Sequence, residues 1–256
     1  MGGMTLSGIE VRIGQRKILD DVTVEFPAGK VTVVIGPNGA GKSTMLAVAA
    51  GSIKPHAGVA RLGDDDLRHL PARQAARRRA VMPQDSHVAF PFTVREVVEM
   101  GRTPWSGSSP ADRDICDEAL ELTQMTAMAD REITTLSGGE RQRAALARVI
   151  TQATPVDTES VILLDEPTSA MDIGHAEATL SLARDLARRG AAIGIVLHDI
   201  DSAAAFADQV VLMHHGQVHV AGTVGDVCRA ETLSDVYETP IEVFERDGRV
   251  HVTPRR

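Results

Sequence analysis

Three short runs hold the residues with the most definite chemistry. Gly36-Pro37-Asn38-Gly39-Ala40-Gly41-Lys42-Ser43 fits G-x-x-x-x-G-K-[ST], and Thr44 follows it. Glycines let a backbone wrap an anion and aim N–H groups at it, and a helix starting there adds the positive end of its dipole. A lysine at position 42 puts an ammonium on the β- and γ-phosphates of a nucleotide, and Ser43 offers a hydroxyl to Mg2+. The chemistry is that of a nucleotide's phosphates and Mg2+. In the second run, Val161-Ile162-Leu163-Leu164-Asp165-Glu166, an apolar strand ends in two carboxylates. Asp165 at the strand end can reach the metal. Glu166 then points near the γ-phosphate, where a carboxylate polarises a water. On its own, the pair fits equally well as polar residues facing solvent.

The third run is Leu136-Ser137-Gly138-Gly139-Glu140-Arg141-Gln142-Arg143. Ser137 and Glu140 have the spacing of a capping box, which opens a helix. Two glycines inside that helix cost about 1 kcal/mol each against alanine. They make sense if the helix start must approach another anion with no side chains in the way. The chain already has one phosphate loop, so a second anion-binding helix start points to another copy completing each site. Read without further context, His198 after a buried strand is a lone histidine and Gln84 a loop residue.

The elements that must position these runs follow from periodicity. Gly8-Ile9-Glu10-Val11-Arg12-Ile13 and Val22-Thr23-Val24-Glu25-Phe26 alternate as half-buried antiparallel strands do. Val31-Thr32-Val33-Val34-Ile35, Val161-Ile162-Leu163-Leu164 and Ala192-Ile193-Gly194-Ile195-Val196-Leu197 are strands buried on both faces. Residues 86–153 lack strand-like runs and show helical patterns over 94–100, 112–125 and 139–152. The expected fold is α/β: a phosphate-loop NTPase core with a mixed, mostly parallel sheet, N-terminal antiparallel strands and an inserted all-helical subdomain. Residues 1–256 form one domain, with 1–85 and 154–256 as the nucleotide-binding core and 86–153 as the helical insert. His215-Gly216 and Asp247-Gly248 are hairpin turn signals. His214-His215 is read as part of such a hairpin, its rings on opposite strand faces, and not as a haem or metal site.

Composition sets the class. The 256 residues are 43% hydrophobic and 24% charged, enough for a sizeable core. Lys+Arg 27 against Asp+Glu 35 leaves −8, which argues against a nucleic-acid partner. Arg77-Arg78-Arg79, close in sequence to Asp64-Asp65-Asp66, reads as a solvated face. Cys116 and Cys228 are the only cysteines, which fits a reducing compartment and supports no metal site. No apolar run approaches the roughly 18–20 residues of a membrane span. The first residues carry no signal-like apolar core, and Met1 and Met4 both fit a start. The expected location is therefore the cytoplasm, with any hold on a membrane supplied by a partner.

The order of these motifs resembles the ATP-binding-cassette ATPases over nearly the whole chain. The phosphate loop is followed by Gln84, the Leu136-to-Glu140 signature, the strand ending in Asp165-Glu166, then Ser169-Ala170-Met171-Asp172, then His198. The resemblance implies a head-to-tail dimer with two ATPs held between the phosphate loop of one copy and Ser137-Gly138-Gly139 of the other. It implies catalytic roles for Glu166, His198 and Gln84, and metal contacts from Ser43, Gln84 and Asp165. Gln84 also couples to a membrane partner, and Asp172 touches the opposite subunit. One feature departs from the family, which places an adenine-stacking aromatic near position 13. This chain has Arg12-Ile13-Gly14-Gln15-Arg16 there, and adenine rests on Ile13 or on the Arg16 guanidinium.

A narrower likeness lies beyond Gln84. Ala80-Val81-Met82-Pro83-Gln84-Asp85-Ser86, Phe90-Pro91-Phe92-Thr93-Val94 and the looser stretch 153–160 look like the ATPases of bacterial haemin importers. The pattern V-x-x-x-G-R, here ending in Gly101-Arg102, is shared with ferric-siderophore and cobalamin importers. The likeness implies a peripheral ATPase on the cytoplasmic side of the bacterial membrane. Its partners are transmembrane permease subunits and, indirectly, a haem-binding protein. A soluble cassette ATPase of DNA repair or translation normally has two cassettes or a long coiled-coil insertion. A regulatory module without hydrolysis lacks a residue like Glu166 or His198.

Overall fold

The computed structural model describes residues 2–84, 90–105 and 109–255. Strands β1 (Gly3–Ile13) and β2 (Arg16–Pro27) form an antiparallel pair, followed by β3 (Val31–Ile35) and helix α1 (Lys42–Ala49). Next come β4 (Ala57–Leu62), the two-residue β5 (Asp65–Asp66), α2 (Ala72–Arg78) and β6 (Arg79–Met82). Helices α3 (Val94–Glu99), α4 (Pro110–Leu122) and α5 (Gly138–Ala153) occupy the middle of the chain. The core resumes with β7 (Val161–Asp165), α6 (Ile173–Arg188), β8 (Ala192–Val196), α7 (Ile200–Phe206), β9 (Gln209–His214) and β10 (Gln217–Gly222). Short helices α8 (Val224–Val227) and α9 (Ala230–Tyr237) and the hairpin β11 (Ile241–Arg246) and β12 (Arg249–Pro254) follow.

Six strands form the central sheet in the order β10-β9-β3-β8-β7-β6, parallel except for β10 against β9. A second, antiparallel sheet runs β2-β1-β4-β5. The two-residue period of the central strands splits the interior into two cores. Val31, Val33, Ile35, Ile162 and Leu164 share one core with helices α5, α6 and α7, whereas Val34, Val161 and Leu163 face α1 and the antiparallel sheet. This two-sided burial explains the near-continuous β-branched runs.

The described part of the middle segment consists of helices and turns around a single bridge between Thr93 and Glu132. Residues 85–89 of the run after Gln84 lie outside the described residues. Helix α5, 16 residues and about 24 Å long, is held at both ends. At its start Ser137 accepts from the Glu140 N–H at 3.3 Å, and the Glu140 carboxylate accepts from the Ser137 N–H at 2.7 Å. At its end the buried Arg102 guanidinium donates to the carbonyls of Thr151 (2.9 Å) and Thr154 (2.5 Å) and pairs with Asp112 at 2.6 Å. The Trp105 indole N–H donates to the Gln152 carbonyl at 2.9 Å, and its ring takes the Arg77 and Arg102 guanidinium groups at about 5 Å. A cation and an N–H donor thus meet the orphan carbonyls at the negative helix end.

Two sequence readings are corrected here. Arg77-Arg78-Arg79 is a solvated face only at Arg77, which is exposed, whereas Arg78 and Arg79 are half-buried. Arg77 donates to the Pro104 carbonyl and stacks on Trp105, Arg78 binds Asp65 and the Leu62 carbonyl, and Arg79 packs beneath Gly51. The charge run is spent on tertiary contacts that carry no local sequence signal. The rings of His214 and His215 do not oppose each other either. His214 ends β9, but His215 leaves the strand at φ 50, and the two rings stack with centroids 3.8 Å apart. Cys116 and Cys228 are buried free thiols, and burial pushes each up to about 11.

Arg102→Leu leaves two carbonyls of α5 without their charged donor. At about 1.5 kcal/mol for each charge-assisted bond, the expected loss is about 3 kcal/mol, read as a lower urea midpoint. An unchanged midpoint would mean that Trp105 alone holds this end.

Candidate functional site

Strand order decides what converges. In an open parallel sheet, ligands bind beyond the carboxyl ends of the strands. At that edge β3 delivers the phosphate loop and neighbouring β8 leads to His198. Next to β8, β7 ends in Asp165-Glu166, and β6, beside β7, leads to Gln84. Arg16, Asn38, Gly39, Gly41, Lys42, Ser43, Thr44, Gln84, Glu166 and His198 line one cavity of about 500 Å3 there.

The loop is shaped before any anion arrives. Gly36 sits at φ 145, and a Cβ there would lie 2.2 Å from the Met213 carbonyl oxygen, so only glycine fits. The Lys42 ammonium is buried and donates to the carbonyls of Gly36 (2.7 Å) and Pro37 (3.0 Å). Burial holds its pKa below the ordinary lysine value, and the charges of Glu166 and Asp165 pull the other way. Ser43 donates to Asp165 at 3.3 Å. Burial pushes the Asp165 carboxyl up, Glu166 adds to the push, and the Ser43 bond, Lys42 and His198 oppose it. Glu166 is 8% exposed, and its Oε1 is hydrogen-bonded to His198 Nε2.

The donor set suits a small hard cation. Ser43 and Asp165 put two oxygens together, with the Gln84 side chain on the same cavity. Among the described residues no group of three or more His, Cys, Asp or Glu forms a metal cage. Mg2+ takes few protein ligands and fills its octahedron with phosphate oxygens and waters, so a two-oxygen site fits it.

Other residues singled out from the sequence stand apart from this cavity. Ile13, at the end of β1, is 67% exposed and absent from the cavity wall, where Arg16 and the unforeseen Ile18 take its place. Ser137 and Asp172 are exposed and Gly138 and Gly139 half-buried, all of them outside it. Asp172 caps α6 by accepting from the His175 N–H at 2.9 Å, and this bond together with the His175 ring keeps its carboxyl below the usual range. Pro37 and Ala40 line a second cavity of about 390 Å3 with His214, His215, Tyr237 and Glu238, sharing Arg16, Asn38 and Gly39 with the first.

The ABC transporter family profile matches residues 19–169. The chain belongs to this family. As an ABC ATPase it is 47% identical to the hemin import ATP-binding protein HmuV of Rhodococcus jostii, over all of this chain and 88% of that protein. It is 41% identical to the cobalamin import ATP-binding protein BtuD of Halobacterium salinarum, over 98% of this chain and 63% of that protein. Its fold matches the dimeric structure of a bacterial ABC transporter cassette with a TM-score of 0.75 at 24% identity, over 86% of this chain and 98% of that one. No helix among the described residues is long and apolar enough to cross a membrane.

In this ABC ATPase the buried Asp165 sets function against stability. Its folded pKa lies above the unfolded value of about 3.9. The folded state therefore holds the proton more tightly, and stability falls as pH rises through that window. At pH 7 the ionised carboxylate destabilises the fold. Asp165→Asn is expected to raise Tm at pH 7 without nucleotide, with the gain shrinking as pH falls towards about 4. An unchanged or lower Tm at pH 7 would contradict the burial argument.

Proposed function

We propose that the protein hydrolyses ATP to drive a bacterial haemin importer, working as a head-to-tail pair on the cytoplasmic side of the membrane. The observation that carries the cargo is the 47% identity to a hemin import ATP-binding protein along the whole chain. The cavity supports the chemistry. Lys42, Ser43, Thr44 and the loop from Gly36 to Gly41 bind the triphosphate, with Arg16 and Ile18 beside the base. Ser43, Asp165 and Gln84 would hold Mg2+, which would supply charge neutralisation on the phosphates. Glu166 takes a proton from a water whose oxygen attacks the γ-phosphorus, and the bond to the ADP oxygen breaks. His198, hydrogen-bonded to Glu166, keeps that carboxylate turned towards the water and reaches the γ-phosphate.

Ser137, Gly138, Gly139 and Asp172 complete the site of a second copy. Their position outside their own cavity supports this, because a capped helix start that faces away from its own phosphate loop suits an anion brought by another chain. Residues 86–153 act as the insert that carries them, against a core of 1–85 and 154–256. Phe90 and Phe92, exposed by 68% and 36% with ring centroids 6.3 Å apart, form an apolar patch shortly after Gln84. That patch suits transmembrane permease subunits, with a haem-binding protein as an indirect partner.

Glu166→Gln is expected to keep ATP binding, lower turnover at least about 100-fold and accumulate an ATP-bound dimer on size exclusion. Full turnover would move the base to another residue. Deleting the gene is expected to stop growth on haem as sole iron source and to spare growth on ferric citrate. The 41% identity to a cobalamin import protein supports a second reading, which stands if the deletion strain instead requires added cobalamin.

A further inference from the structure

The first two turns of α5 lie against the chain that follows Glu166. A Cβ on Gly139 would lie 2.8 Å from the Ala170 carbonyl oxygen, so the contact is backbone to backbone. Three residues on, the Gln142 amide fills the corner. Its Nε2 donates to Ser169 Oγ at 2.8 Å and to the Glu166 carbonyl at 3.3 Å, and its Oε1 accepts from the Ala170 N–H at 3.1 Å. A backbone N–H can only donate, so the amide orientation is chemically fixed.

The carbonyl it holds belongs to an unusual residue. Glu166 sits at φ 51, a left-handed conformation that is strained for a residue with a side chain and persists only where surroundings enforce it. Its N–H donates to the Val196 carbonyl at 3.1 Å, and its own carbonyl accepts from the Ser169 N–H at 3.3 Å as well as from Gln142. The Val196 bond ties Glu166 to the core sheet, whereas the Gln142 bond ties it to the helix that begins at Ser137.

We infer that Gln142 is a positioning residue that ties the backbone of Glu166 to α5, so that a chain's own base is aimed by the nucleotide its α5 meets on the partner. This rests on the proposed head-to-tail pair and on Glu166 as base. A seated α5 presents its start to the other copy's γ-phosphate, and through Gln142 the same displacement sets the Glu166 turn. Each ATP is then hydrolysed in step with the other, with no contact between the two Glu166 side chains.

The test uses the full chain with Gln142→Ala and Gln142→Glu. The glutamate keeps length and shape and can still accept from Ala170, but it has no N–H for Glu166 or Ser169. Both variants are expected to lose about tenfold or more in turnover, the size that a small misplacement of a reacting group produces. ATP affinity, and ATP-dependent dimer formation in the Glu166→Gln background, are expected to stay within about twofold. Wild-type turnover in either variant overturns the inference, because packing then suffices. Loss of affinity and dimer along with turnover also overturns it, as general loosening. Glu166→Gln alone separates the parent reading: if it retains turnover or forms no ATP-bound dimer, that reading fails whatever Gln142 does.

Discussion

The arrangement depends on a sheet buried on both faces. Such a sheet has no face left for chemistry, so reacting groups collect beyond the carboxyl ends of its strands. With β8 between β3 and β7, and β6 outside β7, four loops that are distant in sequence must share one cavity. The phosphate loop, Asp165-Glu166, His198 and Gln84 are neighbours because of strand order, and every shorter contact is an adjustment within that frame. The buried charge of Lys42 is met by the carbonyls of Gly36 and Pro37, and that of Asp165 by the Ser43 hydroxyl.

The sequence is most readable where chemistry restricts residue type. A loop that wraps phosphate needs glycine at left-handed positions and one lysine, and an apolar strand ending in two acids admits few purposes. The buried strands, the helical middle segment and the hairpin turns were legible for a related reason, since period two, period 3.6 and Gly-containing turns are local signals. What stayed hidden depends on long-range partners. Arg102, Trp105 and Gln142 bind backbone carbonyls or a distant loop, and nothing within ten residues announces this. The Arg77–Arg79 run misled because charge density resembles a solvated surface, whatever each guanidinium later finds. His214-His215 misled because the strand rule fails one residue into a left-handed turn. Ile18 escaped notice because any apolar residue can line a wall.

Helix α5 links these two kinds of residue. Its start is written in a local motif, Ser137 with Glu140, while its end is closed by Arg102 and Trp105 from an earlier segment. A helix secured at one end only would fray, and its dipole would point less well. Securing both ends makes it a stiff strut between its capped start and the joint with α2.

That joint has an optical consequence. Trp105 is the chain's single tryptophan, and its indole lies between Arg102 of the middle segment and Arg77 of α2. Its emission reports on the charges beside it. Any change in how the middle segment sits on α2 alters the distance between the ring and the Arg77 guanidinium. The molecule therefore carries its one intrinsic indole fluorophore at the contact between the middle segment and α2, with no second tryptophan to subtract.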